Sequence, residues 1–222
     1  MKTIRKIHAN RIRSFSGRVL DWYKDAGRTF PWRTRDVPIY RLVVTEILLQ
    51  RTRAATVADF YEEFFSRFPS WASLASSSIR DIESVLKPIG MWKQRAPRLY
   101  ALAVAIVERG GALPKTSEDL LSLPAVGQYV ANAALLFQGI SPLPLLDAGM
   151  ARTLERHFGE RALADIRYDP YLQALAQRVV AVEDSVATNW AILDLAALVC
   201  RLKNPRCGNC PVKTTCLYSL EL

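Results

Sequence analysis

Apolar residues recur along most of this chain at the spacing of an α-helix, three or four positions apart. The segments with this pattern are 42–50 continuing to 60, 99–107, 130–137, 172–182 and 187–200. Proline or glycine follows many of them at an expected helix end, and no segment shows the apolar–polar alternation of a half-buried strand. The sequence therefore predicts an all-α fold.

The composition is that of a globular protein with a basic surface. The 222 residues include 30 Lys and Arg against 21 Asp and Glu, a net charge of +9, and half of all residues are apolar. This excludes a disordered chain, and no apolar run approaches the roughly 18 residues of a membrane span. The charge favours a polyanionic partner, nucleic acid ahead of an anionic membrane. The basic Lys2, Arg5 and Lys6 would suit a transit peptide, but we expect a cytoplasmic protein because no signal-peptide core is present.

All the cysteines cluster near the C-terminus. They are Cys200, Cys207, Cys210 and Cys216. A disulfide framework would be spread through a smaller secreted chain, whereas one tight group of soft thiolates is typical of a zinc or iron–sulfur site. The spacing predicts a metal site and leaves the choice between the two open.

A short helix and a tight turn precede the segment 130–137. Thr116 followed by Asp119 is typical of a capped helix start, and a helix over 117–123 would end at Pro124. A second helix beginning near Gln128 would then point its backbone N–H groups at a phosphate. An ordinary connection between two helices is the alternative interpretation.

Four motifs in this order resemble the helix-hairpin-helix DNA glycosylases of the endonuclease III and MutY superfamily. They are Phe30-Pro-Trp-Arg33, Thr45-Glu-Ile-Leu-Leu-Gln-Arg-Thr52, Leu123-Pro-Ala-Val-Gly-Gln-Tyr129 with Asp147 eighteen residues on, and the cysteine spacing C-x6-C-x2-C-x5-C. The resemblance covers nearly the whole chain. It implies two all-helical domains with a DNA cleft: a discontinuous cluster domain, 1–29 and 143–222, and a helical barrel, 30–142, that contains the hairpin. It also implies a [4Fe–4S] cluster on the four cysteines.

The resemblance makes Asp147 the catalytic carboxylate. Cleavage of an N-glycosidic bond builds positive charge on the sugar, which a carboxylate stabilises. From the residues alone, a helix N-cap is the stronger interpretation of Asp147, and both roles are compatible. Two positions depart from the family pattern: Gly149 stands where Asn is usual, and Ala125 stands where Gly is usual. Alanine with a positive φ would cost on the order of 1 kcal/mol.

Tyr129 occupies the position at which bifunctional relatives carry a lysine. A phenol cannot form the Schiff base that leads to strand cleavage, so the resemblance implies a monofunctional enzyme that leaves an abasic site. The residue matching Glu46 protonates adenine in MutY-type enzymes, where an apolar pocket would raise its pKa. In thymine-processing relatives it would bind a polar edge of the pyrimidine. The alternative for both residues is an ordinary place on a helix surface.

The resemblance also predicts which residues contact DNA. Gln50 is expected to hold the orphaned base, while Met91 or its neighbour Trp92 fills the gap left by the displaced base. The remaining predicted contacts are Arg51 and Arg53, the hairpin residues Val126, Gly127 and Gln128, and the cations Arg201, Lys203, Arg206 and Lys213.

Two activities compete. Mig-type relatives remove thymine or uracil opposite guanine, and MutY-type relatives remove adenine opposite guanine or 8-oxoguanine. The motif 45–52, the loop Gln94-Arg95-Ala96 and the short stretch after Cys216, with no C-terminal domain of the MutY type expected, favour thymine or uracil. Adenine excision is the alternative, and a non-catalytic paralogue that binds a lesion or modified base is the second. The expected partner is double-stranded DNA with a mismatched or damaged base, bound by a monomer at the nucleoid.

Overall fold

The computed structural model describes residues 7–34 and 36–220, so Lys2, Arg5 and Lys6 lie outside the described residues. Within those residues the regular elements are helices and no strand occurs, which confirms the predicted all-α class. In the same part of the chain, no helix is both long and apolar enough to cross a membrane. The chain forms two compact units: a discontinuous unit, Met1–Arg28 with Ser141–Leu222, and a continuous unit, Thr29–Ile140.

The continuous unit is built around an aromatic core. Its helices are α2 (Ile39–Leu48), α3 (Ala54–Arg67), α4 (Trp71–Ala75), α5 (Ile79–Leu86), α6 (Trp92–Glu108), α7 (Ser117–Leu121) and α8 (Gln128–Phe137). Phe64 and Phe65 of α3 are fully buried, and Tyr40 of α2 meets the Phe65 ring edge-on at 5.6 Å. The helical pattern predicted through 42–60 is interrupted, because Arg51 between α2 and α3 takes a φ of 57° that no helix continues.

The discontinuous unit packs its first helix against helices from the end of the chain. They are α1 (Ala9–Ala26), α9 (Ala148–Phe158), α10 (Pro170–Val180), α11 (Ser185–Leu198) and α12 (Leu217–Leu220). Phe15 and Val19 of α1 lie in one core with Leu154 and Leu195. Aspartates cap α9, α10 and α11 through their side chains, which fixes where each helix begins.

Two arginines of the N-terminal segment connect it to distant parts of the same unit. The Arg28 guanidinium pairs with the fully buried Asp194 carboxylate at 2.7 Å, and Arg11 donates to the carbonyls of His157 and Thr215 at 2.6 and 2.9 Å. A buried carboxylate is costly without such a partner. Arg28 thus fastens the segment that follows α1 to α11, and Arg11 fastens α1 to α9 and to the loop that carries the cysteines.

Candidate active site and cysteine recess

A buried carboxylate and a phenol meet where α2 packs against α8. Glu46 is only 4% exposed, because its neighbours Val43 and Ile47 carry this part of α2 into the core. The Tyr129 hydroxyl, in the first turn of α8, donates a hydrogen bond to Glu46 Oε2 at 3.0 Å. Buried carboxylates require such donors. The structure therefore brings together two of the three residues that the sequence predicts to be catalytic.

The turn before α8 has the form of the predicted hairpin. Ala125 has a φ of 63°, which is the left-handed conformation that glycine adopts more easily. The Val126 side chain is buried, and its N–H donates to the Leu123 carbonyl at 3.3 Å. Gly127 is exposed and extended, and α8 begins directly after it at Gln128, as predicted. The turn therefore presents a helix N-terminus, where N–H groups and the helix dipole favour an anion.

Asp147 lies in the discontinuous unit as the N-cap of α9. Its carboxylate accepts the Met150 backbone N–H at 2.7 Å, which confirms the N-cap interpretation. Asp147 is an exposed residue, yet desolvation of its carboxyl group by the surrounding protein raises its pKa above the ordinary aspartate value. The Met150 and Gly149 hydrogen bonds and the Arg152 charge act in the opposite direction. The residue is thus a helix cap and an accessible carboxylate at once.

The space beside Gly149 explains part of the departure from the family pattern. A Cβ atom at this position would lie 3.1 Å from the Ala196 Cβ and 3.2 Å from Asp147 Oδ1. Both distances are tighter than ordinary van der Waals contact. An asparagine here would have to displace α11 or the carboxylate by a few tenths of an ångström, and glycine avoids that conflict.

The predicted DNA-entering residues stand at the ends of two helices. Gln50 and Arg51 are exposed in the turn after α2, and Met91, 37% exposed, is the N-cap of α6. Trp92 begins α6 and is half-buried, with the Lys93 ammonium 5.1 Å from its ring centroid. Of the two wedge candidates, Met91 is the more accessible.

Sequence reasoning assigned no role to Arg95 beyond its place in a family motif. The side chain is 4% exposed and donates to the main-chain carbonyls of Gly90 and Gln50 at 2.9 and 2.8 Å. An arginine buried against backbone carbonyls leaves no periodic signal, because it replaces an apolar residue on the inner face of its helix. The Gln94-Arg95-Ala96 resemblance was the only available indication.

The cysteines share one recess at the end of the discontinuous unit. The recess is partly open to solvent, and its walls include Cys200, Cys207, Cys210, Cys216, Arg156, Lys213 and Tyr218. Burial raises the pKa of Cys210 to about 11, with a smaller contribution from the neighbouring thiols. Arg156 Nη1 lies 3.6 Å from Cys200 Sγ and donates to the Arg201 carbonyl at 2.8 Å. The four thiols are therefore gathered around one cavity beside a cation.

The four cysteines fit a metal–sulfur group by their chemistry. Thiolates are soft ligands that hold both iron–sulfur clusters and zinc. Across residues 7–34 and 36–220, no three or more Cys, His, Asp or Glu side chains are placed so that they could hold one metal ion. The structure gathers the four thiol donors around one recess.

These features belong together in one known class of protein. The sequence pattern of the HhH-GPD superfamily of base excision DNA repair proteins matches residues 44–179, and the chain belongs to this superfamily. It is 37% identical over 213 residues to a thymine-DNA glycosylase of Aeropyrum pernix, which covers 94% of this chain and 95% of that protein. An adenine DNA glycosylase of Buchnera aphidicola is 31% identical over 93% of this chain but only 60% of its own length.

The fold comparison agrees with the sequence comparison. The structure of a thermostable thymine-DNA glycosylase superposes with a TM-score of 0.88 at 28% identity, over 96% of this chain and 98% of that one. The predicted resemblance to the helix-hairpin-helix DNA glycosylases and the predicted enzyme class, a DNA glycosylase, are confirmed.

Proposed function

We propose that this enzyme removes thymine or uracil opposite guanine from double-stranded DNA and leaves an abasic site. The observation that carries the proposal is the Glu46 carboxylate, buried on α2 and oriented by the Tyr129 hydroxyl 3.0 Å away. Full-length similarity to a thymine-DNA glycosylase supports it. Adenine excision is less well supported, because the adenine DNA glycosylase is 31% identical to this chain and the thymine-DNA glycosylase 37%.

Glu46 would recognise the displaced base by a hydrogen bond. An ionised carboxylate only accepts hydrogen bonds, and the Watson–Crick edge of thymine and uracil offers the N3–H donor. At the matching ring position adenine presents its N1 acceptor, with its N6–H donors to one side, so a carboxylate aligned for N3–H would face another acceptor. A buried polar group that loses its partner discriminates strongly against the wrong substrate. Tyr129 fixes the carboxylate and, having no amine, supplies no route to a Schiff base.

Asp147 would stabilise the sugar as the base departs. The C1′–N1 bond breaks with its electron pair going to the pyrimidine, and a water oxygen bonds to C1′. The proton that this water loses balances the proton that the departing pyrimidine anion takes up to become the neutral base. An ionised carboxylate beside C1′ lowers the energy of the cationic transition state. The N-terminus of α8 at Gly127 would hold a backbone phosphate, while Gln50 and Met91 would enter the duplex in place of the base.

A single-turnover assay tests the activity directly. End-labelled duplexes that carry T·G, U·G, A·G or A·8-oxoG are treated with enzyme and divided into samples with and without hot alkali. We expect strand breaks at T·G and U·G after alkali only. Breaks at the adenine mispairs alone would assign the alternative activity, and breaks without alkali would contradict the role of Tyr129. Binding without product on any duplex would favour the non-catalytic alternative.

We also propose a [4Fe–4S] cluster held by Cys200, Cys207, Cys210 and Cys216, which share one recess. Such a cluster would tie the C-terminal loop to the end of α11, where Cys200 lies, through four covalent bonds. Arg156 would donate toward the Cys200 sulfur and neutralise part of the thiolate charge. Iron and acid-labile sulfide are measured after anaerobic purification, with about four of each expected per chain. Stoichiometric zinc without sulfide would overturn this proposal.

We propose further that the enzyme acts on chromosomal DNA in the cytoplasm as a monomer. The basic sequence, with a net charge of +9, supports attraction to DNA. Sedimentation of the free protein and of its complex with one mismatched duplex measures the oligomeric state. One chain per duplex is the expected result.

A further inference from the structure

Two loops that are far apart in the sequence meet at the Arg95 guanidinium. One follows α2 and contains Gln50 and Thr52, and the other precedes α6 and contains Gly90. Arg95 Nη1 donates to the Gly90 carbonyl at 2.9 Å. Nη2 donates to the Gln50 carbonyl at 2.8 Å and to Thr52 Oγ1 at 3.0 Å. One planar group therefore fixes both loops.

Thr52 adds a second connection between the same loops. Its hydroxyl accepts from Arg95 and donates to the Ile89 carbonyl at 3.4 Å. The guanidinium, the hydroxyl and the three carbonyls form a continuous network, whose bonds between the loops join residues 37 to 45 positions apart. A network of this kind holds the two backbones at one relative position, because each loop shares partners with the other.

Each loop also has a residue in the left-handed conformation. Arg51 has a φ of 57° and Met91 a φ of 53°. Such conformations are costly for residues other than glycine, and they persist only where the surroundings hold them. Arg95 bonds to the residue on the N-terminal side of each of them, Gln50 and Gly90. The network therefore holds the part of each loop from which an exposed side chain projects.

Simple packing does not account for the choice of arginine. Arg95 is 4% exposed, its hydrogen-bond partners within residues 7–34 and 36–220 are two carbonyls and a hydroxyl, and desolvation lowers its pKa. Burying a cation without a carboxylate is expensive, whereas methionine would fill the space at less cost. What only the guanidinium supplies is several rigidly arranged donors that reach both loops at once.

We propose that Arg95 is a positioning residue for base displacement. It holds the loop carrying Gln50 and the loop carrying Met91 at a fixed separation, so that both side chains enter the duplex together when the target base leaves. The inference rests on the proposed excision activity, because excision requires that the target base be displaced from the duplex.

The test measures base displacement without chemistry. Asp147→Asn is combined with Arg95→Lys, with Thr52→Val or with Arg98→Lys. Arg98 is an exposed residue of the same helix and serves as the matched control. A U·G duplex that carries 2-aminopurine beside the uracil is saturated with each protein. The fluorescence of 2-aminopurine rises when the neighbouring uracil leaves the base stack, and this rise is measured. We expect Arg95→Lys and Thr52→Val to lose most of this rise, and Arg98→Lys to keep it.

A kinetic comparison separates positioning from general damage. In the active enzyme, which retains Asp147, Arg95→Lys should lower the single-turnover rate on the U·G duplex roughly a hundredfold. Small misplacements of reacting groups produce losses on this scale. On the same uracil inside an unpaired bubble, where little displacement work is needed, its rate should return to near that of the parent enzyme. Equal losses on both substrates, with a normal fluorescence rise, would overturn the inference.

Thr52→Val keeps the inference testable if Arg95→Lys fails to fold, because it removes one hydroxyl and retains nearly the same shape. Normal displacement and normal rates in a folded Thr52→Val protein would contradict the shared network. A parent enzyme that neither excises the base nor raises the fluorescence would refute the proposed function itself, which is a separate outcome.

Discussion

Asp147 is the residue at which the structural and the chemical roles can be separated. Asparagine caps a helix as well as aspartate does, so Asp147→Asn should preserve the Met150 hydrogen bond that begins α9. The raised pKa of Asp147 means that its ionised form costs the folded state free energy above that pKa. We therefore expect Asp147→Asn to abolish excision, to keep mismatch binding and to be at least as stable at neutral pH.

Urea unfolding, a binding titration and the alkali assay measure these three properties. Asp184→Asn is the matched control, since Asp184 caps α11 in the same way, and it should keep full activity. Retained excision in Asp147→Asn would remove the residue from the reaction.

The pH dependence of excision follows from the same carboxylate. Desolvation raises the pKa of Asp147 above the ordinary value of about 3.9. The reaction needs the ionised form, so the single-turnover rate should fall as the pH is lowered through this raised pKa and level off above it. The acid limb should lie at higher pH than an unperturbed aspartate would give. An acid limb at or below the ordinary value would contradict the proposed role.

Single residues differ in how far the sequence predicts their place. Glu46 and Tyr129 were both singled out from motifs that lie 83 positions apart, but only the packing of α2 on α8 shows that they bond to each other. Arg95 could not be predicted in the same way, because its partners are main-chain carbonyls. Every sequence has such carbonyls, so only the folded backbone shows which ones it meets.

At the scale of the elements, the hairpin between α7 and α8 contains a local strain that can be relieved. Ala125 has a φ of 63°, which costs an L-residue roughly 1–2 kcal/mol. Glycine would remove this cost, but the greater flexibility of glycine in the unfolded state offsets part of the gain in stability. Ala125→Gly should raise the free energy of unfolding by about 0.5 kcal/mol. The control Ala174→Gly, at an exposed position inside α10, should lower it by roughly 0.5–1 kcal/mol. Urea unfolding that shows the same sign for both would contradict the strain.

The boundaries of the elements were predicted where a side chain marks them. The Thr116 hydroxyl accepts the Asp119 N–H at the start of α7, and α8 starts at Gln128, both as the residues indicated. The break between α2 and α3 was not predicted, because the apolar spacing continues through it. That break depends on the turn 49–53, which Arg95 holds from another part of the chain.

At the scale of the whole molecule, charge rather than shape sets the strength of binding. The net charge of +9 and the many exposed cations imply that phosphate contacts, with release of counterions, supply much of the affinity for DNA. The logarithm of the affinity for a mismatched duplex should therefore fall linearly with the logarithm of the salt concentration. A protein with about six phosphate contacts loses roughly a thousandfold between about 50 and about 200 mM salt. A flat response would contradict the electrostatic basis of binding.

The loop beside the cysteine recess provides a way to locate part of that charge. Lys203 and Arg206 are exposed there, and the double change Lys203→Met, Arg206→Met should lower the slope of the logarithmic salt plot by about two if both contact phosphate. Lys24→Met is the control, because Lys24 is already paired with Asp21 at 2.8 Å, and it should leave the slope unchanged. Fluorescence titrations at several salt concentrations measure all three slopes. Since the double change leaves the cysteines in place, equal iron content in the variants would show that an altered slope reports lost phosphate contacts rather than a lost cluster. An unchanged slope in the double variant would mean that this loop lies away from the DNA, and that other cations, such as Arg51, supply the contacts.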